Sequence, residues 1–246
     1  MSKLSDYVLN FVAGQGVEHV FLVTGGGAMH LNASLAQCKR LQAVCNSHEQ
    51  ASAMAAENYA KVRNSLGVAM VTTGPGGTNA VTGLAGAWLD STPVLFLSGQ
   101  VKRPDRMFAP DGTPLGMRQL GVQEIDIVSI VKPLTKYAVT VLDPMRIRYH
   151  LEKAVYLALH GRPGPVWVDI PLDVQAAPID EAALHGFDPP PASAARPELV
   201  HKVEETIATL NRAERPLIFI GNGVRLARAE DELRSLFALL RIPVEA

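Results

Sequence analysis

The sequence has only two cysteines, Cys38 and Cys45. Their spacing matches neither a zinc site nor a dithiol redox motif, so no disulfide framework and no cysteine-held metal is read; free thiols in a reducing compartment are expected. Neither charge is in excess: 23 Lys+Arg stand against 24 Asp+Glu, for a net charge of −1. A nucleic-acid binder or a polybasic membrane-surface protein would carry a basic surplus. Complete nucleotide-binding signatures are also missing. The glycine clusters that start at Gly25, Gly74 and Gly221 each fail GxGxxG at the sixth place, where His30, Asn79 and Leu226 stand. GxxxxGK[ST], HExxH and GxSxG do not occur, which removes P-loop, zinc-protease and hydrolase-elbow readings. Residues 1–15 have neither an apolar core nor a cleavage pattern, so no signal peptide is read and a cytoplasmic location is expected.

What is present is a globular composition, with 48% hydrophobic and 19% charged residues. Residues 65–89 carry no charge, but they hold six glycines, Pro75 and Asn79. A lipid-spanning helix would not place Gly74-Pro75-Gly76-Gly77 at mid-depth, so the stretch reads as a buried strand, a glycine turn and a buried helix. Apolar runs without alternation at 20–23, 41–45, 68–73, 94–97 and 166–170 read as strands. Helical spacing or propensity marks 4–12, 31–38, 49–63, 78–88, 125–131 and 145–159. The predicted fold is α/β: a parallel sheet covered by helices on both faces. Ligands in such folds bind at the carboxyl ends of the strands, which points to the loops 24–28, 46–49, 72–79 and 98–103.

From 178 to 197 five prolines and few large apolar residues indicate a linker. A helix (198–210), a strand (217–220), a glycine turn (221–223) and a helix (229–240) follow, and 242–244 look like the opening of a further strand. A segment of this size seldom buries enough surface to stand alone. The expectation is an incomplete second α/β domain, in a truncated chain or in one subunit of a split protein.

His48-Glu49 follows a strand and opens the Ala-rich helix. By spacing alone Glu49 reads as a first-turn carboxylate favoured by the helix dipole, worth about 0.3–1 kcal/mol. The other reading is a carboxyl group aimed into a shared pocket with apolar walls. The ordered set His48-Glu49-Gln50-Ala51, Thr73-Gly74-Pro75-Gly76-Gly77-Thr78-Asn79, Asp90-Ser91-Thr92-Pro93, Ser98-Gly99-Gln100, Gln123-Glu124, Thr135-Lys136 and Arg162-Pro163-Gly164-Pro165 resembles the thiamine diphosphate (ThDP) enzymes of the acetolactate synthase and pyruvate oxidase group. The resemblance spans essentially the whole chain.

The resemblance implies a ThDP pyrimidine-binding domain over 1–177, a linker over 178–197 and the beginning of the central domain over 198–246. It implies decarboxylation of a 2-oxo acid with carboligation. Glu49 would be the catalytic residue, hydrogen-bonding the pyrimidine N1′ so that the 4′-nitrogen can remove the thiazolium C2 proton. Gly74, Pro75 and Gly76 would line the pyrimidine, with Thr72 and Asn79 in the same region. Gly25 and Gly26 would lie beside the thiazolium, and Gln123 and Lys136 toward the substrate. No metal ligand is assigned to this chain. The family holds Mg2+ and the diphosphate through a third domain bearing GDG and paired asparagines, and GDG is absent here. That half of the site would come from a second subunit across a dimer interface. Several members carry FAD in the central domain, so FAD is a further candidate cofactor. Two alternatives stay open: the pyrimidine-side subunit of a two-chain 2-oxo acid decarboxylase, and a non-catalytic remnant or interaction module. Anabolic acetolactate synthases show Pro-Gly-Gly and Ala-Phe-Gln-Glu where this chain has Thr24-Gly25-Gly26 and Gly121-Val122-Gln123-Glu124. The acceptor therefore need not be pyruvate or 2-oxobutyrate.

Overall fold

The computed structural model of the chain describes residues 1–109, 111–191 and 197–245. Two compact units divide it, Met1–Pro189 and Pro190–Ala246.

In the first unit the strands in chain order are β1 (Ser2–Lys3), β2 (His19–Leu22), β3 (Gln42–Cys45), β4 (Gly67–Val71), β5 (Val94–Gln100), β6 (Tyr137–Thr140), β7 (Val166–Pro171) and β8 (Pro178–Ile179). Six of them form one sheet in the order β3-β2-β4-β5-β7-β6, with every pairing parallel. The helices are α1 (Leu4–Gly14), α2 (Met29–Gln37), α3 (Glu49–Arg63), α4 (Pro75–Asn79), α5 (Val81–Leu89), α6 (Ile127–Val131), α7 (Ile147–Leu159) and α8 (Leu172–Gln175). They cover both sheet faces, as a sheet with no polar alternation requires. The central strands β4, β5 and β7 are buried at every position.

The two faces are packed differently. On one, Val68, Met70, Leu95, Leu97, Val166 and Val168 meet the aliphatic sides of α1, α2 and α7. On the other, Ala69, Val71, Phe96 and Trp167 meet small residues of α3 and α5. A Cβ on Gly83 would lie 2.5 Å from the Ala53 Cβ, so α3 and α5 approach as closely as they do only because that side chain is missing. Phe96 and Trp167 stack with ring centroids 5.0 Å apart on this face.

Some local expectations are corrected. The strand β6 was not foreseen: all four residues are half-buried at the sheet edge, so Tyr137-Ala138-Val139-Thr140 lacks the continuous apolar run of the central strands. The helix expected over 78–88 is two helices, α4 beginning earlier at Pro75 and α5 following it. The stretch expected to act as a linker from 178 is packed at its start. There β8 pairs antiparallel with β1, and Ile179 and Leu184 are buried. Residues 192–196 of that stretch lie outside the described residues.

In the second unit α9 (Pro197–Arg212), β9 (Ile218–Phe219), α10 (Gly223–Leu226), α11 (Glu230–Leu240) and β10 (Val244–Glu245) follow one another, and β9 pairs parallel with β10. Among the described residues no helix is long and apolar enough to cross a membrane.

Candidate functional site

The chain leaves β2 toward β3 on one side and returns to place β4 on the other, so the loops after β2 and β4 part at a switch point. Such a crevice is where open α/β sheets bind ligands. The candidate residues gather there. The loop after β2 carries Gly25 and Gly26, the loop after β4 carries Thr72 to Pro75, and Glu49 begins α3 just after β3.

Glu49 owes its place to a well-capped helix. His48 is extended at φ −154°, and its Nδ1 accepts the Gln50 N–H at 3.1 Å, while Asn64 ends α3 in the left-handed conformation. Glu49 is only 9% exposed. Its Oε2 accepts from Asn79 Nδ2 at 2.9 Å, and among the described residues no side chain or N–H satisfies its Oε1. That oxygen faces bare backbone: a Cβ on Gly76 would sit 3.3 Å from it and 2.6 Å from Thr72 Cγ2. Pro75 takes the first helical position of α4, where no N–H is needed.

The glycines here keep the loops in contact. A Cβ on Gly25 would lie 2.5 Å from Thr72, and one on Gly27 would lie 1.8 Å from Thr73 Oγ1. Thr72 therefore serves the architecture, its Oγ1 accepting the Gly27 N–H at 3.1 Å. Gly74 has φ +63°, and a Cβ there would meet the Gln123 carbonyl oxygen at 2.0 Å. Gln123 thus abuts the turn through its backbone. Beside it, Gly26, Gly27, Thr73, Gln100, Lys102 and Gln123 line a cleft of ≈ 310 Å³.

Lys136 is not part of this assembly, and its expected substrate role is corrected on geometry. It precedes β6, at the amino end of the parallel strands, whereas Glu49 follows the carboxyl end of β3. Its Nζ donates to the carbonyls of His160 and Arg162, both at 2.7 Å. With only neutral acceptors, burial dominates and lowers its pKa from the usual lysine value.

Two groups were overlooked from the sequence. Asp169 is buried at the carboxyl end of β7 and accepts from Ser98 Oγ (2.6 Å), Thr140 Oγ1 (3.1 Å) and Gln100 Nε2 (3.3 Å). Burial pushes its carboxyl up to about 6, against the opposing pull of these donors and of Arg106. An acid inside the apolar run Val166-Trp167-Val168-Asp169-Ile170 was the available signal. Gln175 is fully buried, and its Nε2 donates to the carbonyls of Gly27 (2.7 Å) and Ile170 (2.8 Å), tying the first glycine loop to β7. Among the described residues no group of three or more His, Cys, Asp or Glu side chains could hold a metal ion.

A crevice at the switch point of a parallel sheet, floored by glycine backbone and holding one buried carboxyl, defines a cofactor-binding α/β domain. The family described as "Thiamine pyrophosphate enzyme, N-terminal TPP binding domain" matches residues 2–130, and "Thiamine pyrophosphate enzyme, central domain" matches residues 203–246. The acetolactate synthase large subunit of Lactococcus lactis subsp. lactis (strain IL1403) is 34% identical over 240 residues, covering 98% of this chain and 40% of that protein. The chloroplastic acetolactate synthase of Arabidopsis thaliana is 35% identical over 245 residues, covering 98% and 34%. The acetolactate synthase of Arthrospira platensis is 34% identical over 237 residues, covering 93% of this chain and 38% of that protein. The chain spans two fifths or less of the length of these curated relatives. This chain belongs to the thiamine pyrophosphate enzyme family.

Proposed function

We propose that this chain supplies the pyrimidine-binding half of a ThDP-dependent enzyme that decarboxylates a 2-oxo acid and joins the product to a second carbonyl compound. The observation that carries the reading is Glu49: a nearly buried carboxyl with one oxygen held by Asn79 and the other left open toward the Gly76 backbone. The residues fit an aminopyrimidine. A flat ring needs a wall with little projecting from it, and Gly74, Gly76 and the rigid apolar ring of Pro75 would form one. Its ring nitrogen needs a carboxyl partner, and the Glu49 Oε1 is available.

When bound, ThDP supplies the electron sink for breaking the bond between a 2-oxo acid's carboxylate and its carbonyl carbon. The rest is the work of this chain. Glu49 holds or shares a proton at Oε1. Asn79 orients that carboxyl through Oε2. The close contact between the Gly25 and Thr72 loops, with the Gly27 N–H donating to Thr72 Oγ1, fixes the floor of the crevice. Gly26 and Gln123 face the adjoining cleft, where the acceptor substrate would enter.

In this reading Mg2+ and the diphosphate are held by a second subunit across a dimer interface. Apolar side chains left exposed at the carboxyl end of the sheet, Met29, Met54 and Val122, support coverage by another protein surface. No residue described here is assigned to FAD. The two free cysteines support a cytoplasmic location. The test is Glu49→Gln in the assembled enzyme. Turnover should fall by about 10²–10⁴-fold, the usual worth of a positioned acid–base group, with the circular dichroism spectrum unchanged. Wild-type turnover in that variant would remove Glu49 from the mechanism and this reading with it.

A further inference from the structure

Glu124 follows Gln123 and takes no part in the chemistry proposed above, yet it is only 4% exposed. Its Oε1 accepts the Met107 N–H at 2.6 Å. Its Oε2 accepts the N–H groups of Leu120 at 2.9 Å and Gly121 at 3.2 Å. These donors lie on the outgoing and returning arms of a single excursion of the chain. Within it Leu115 N–H donates to the Met107 carbonyl, Ala109 N–H donates to the Thr113 carbonyl, and Phe108 bridges Pro114 in antiparallel fashion. Leu115, Met117 and Leu120 are each about half exposed, so burial does little to hold the excursion down.

The returning arm becomes a wall of the cleft through Gly121, Val122 and Gln123. It is tightly placed: a Cβ on Gly121 would lie 2.8 Å from the Asp105 carbonyl oxygen. Gln123 has φ +60°, a conformation unfavourable for a residue with a Cβ and kept only where the surroundings impose it. Two anchors flank it. Gln100 Nε2 donates to the Ile125 carbonyl at 3.0 Å on one side, and the Glu124 carboxylate gathers both arms on the other. Three backbone N–H groups converge on the two oxygens of this one carboxyl group.

We propose that Glu124 is the positioning residue of this cleft: its carboxylate ties the 107–121 excursion to the 121–125 wall and so holds Gln123 against Gly74. The substrate consequence rests on the proposed function, but the tie itself does not. The experiment is amide hydrogen exchange on the intact protein, comparing wild type with Glu124→Ala and Glu124→Gln. In Glu124→Ala the amides of Met107, Leu120 and Gly121 should exchange at least about tenfold faster, with those of β4 and β5 unchanged as the control for folding. Glu124→Gln keeps one acceptor oxygen, so its exchange should rise less. In the assembled enzyme Glu124→Gln should raise KM for the acceptor carbonyl compound more than it lowers kcat. Wild-type exchange at the three amides in Glu124→Gln would overturn the inference, including where Glu124→Ala loses its fold. Equal losses in kcat with an unchanged KM would overturn it too. Turnover surviving in Glu49→Gln would defeat the proposed function while leaving this exchange pattern untouched.

Discussion

At the carboxyl end of the sheet the buried ionisable groups are acids, namely Glu49, Glu124 and Asp169. At the amino end a half-buried lysine, Lys136, lies beside Arg162 in a second cleft, of ≈ 280 Å³, with Trp88, Leu89 and Pro163. Each acid is met by specific donors: Asn79 for Glu49, three backbone N–H groups for Glu124, and two hydroxyls and an amide for Asp169. The bases meet neutral acceptors, two carbonyls for Lys136 and the Ser91 hydroxyl for Arg162 Nε. Burial disfavours the charged form at both ends, so it raises the pKa of Asp169 and lowers that of Lys136. Close backbone approach occurs at both ends: a Cβ on Gly74 would lie 2.0 Å from the Gln123 carbonyl oxygen, and one on Gly67, at the start of β4, would lie 2.1 Å from the Ala56 carbonyl oxygen, whereas Gly161 has open space around it. The residues proposed to hold the cofactor come together at the carboxyl end.

The largest contrast expected is in turnover. Glu49→Gln should remove about 10²–10⁴-fold of it, whereas Lys136→Met should keep the wild-type rate in the same assay. A large loss in Lys136→Met would bring the two ends back into one mechanism.

Next comes the backbone. Gly74→Ala combines a positive φ with a Cβ 2.0 Å from the Gln123 carbonyl oxygen, whereas Gly161→Ala at φ +67° meets nothing. Strain plus overpacking should cost about 2–5 kcal/mol in the first, and strain alone about 1–2 kcal/mol in the second. Urea denaturation of both variants checks the order.

The pH slopes follow in size. The pKa of Asp169 is about 6 in the folded chain against an ordinary 3.8, so the folded state binds more protons between those values. Its contribution is fully present below pH 3.8 and is lost as pH rises through 6, a change on the order of 3 kcal/mol. Asp169→Asn should flatten that part of the profile of urea midpoint against pH. Lys136 has the opposite sign. Its folded pKa lies below the ordinary 10.5, so stability should rise as pH climbs from the lowered value toward 10.5. Lys136→Met should erase this smaller alkaline rise, and a rise that persists would locate it in another group.

Much of the fold could be read from local pattern. The central strands are apolar at successive positions because both faces are covered, and α3 is rich in alanine, so both were found. The edge strand β6 is half-buried, and its composition carries no comparable mark. Glu49 was legible through its place after a strand and its ordered neighbours, and the glycines through their clustering. Lys136 was misplaced because nothing in Thr135-Lys136 tells which end of a strand a residue will occupy. Glu124 was visible as half of Gln123-Glu124, but its three donors come from residues 3 to 17 positions away, and no spacing rule connects them.

Composition, periodicity and the ordered motifs by themselves determined the α/β class, the parallel sheet and the loops that would carry chemistry, because those follow from which residues can be buried and which turns need glycine. Only the tertiary structure decided which loops meet, that Glu49 keeps one oxygen open, and that Asp169 and Glu124 have partners for their buried carboxyl oxygens. These outcomes depend on distances between segments far apart in the chain, which the parallel strand order sets and local sequence does not encode.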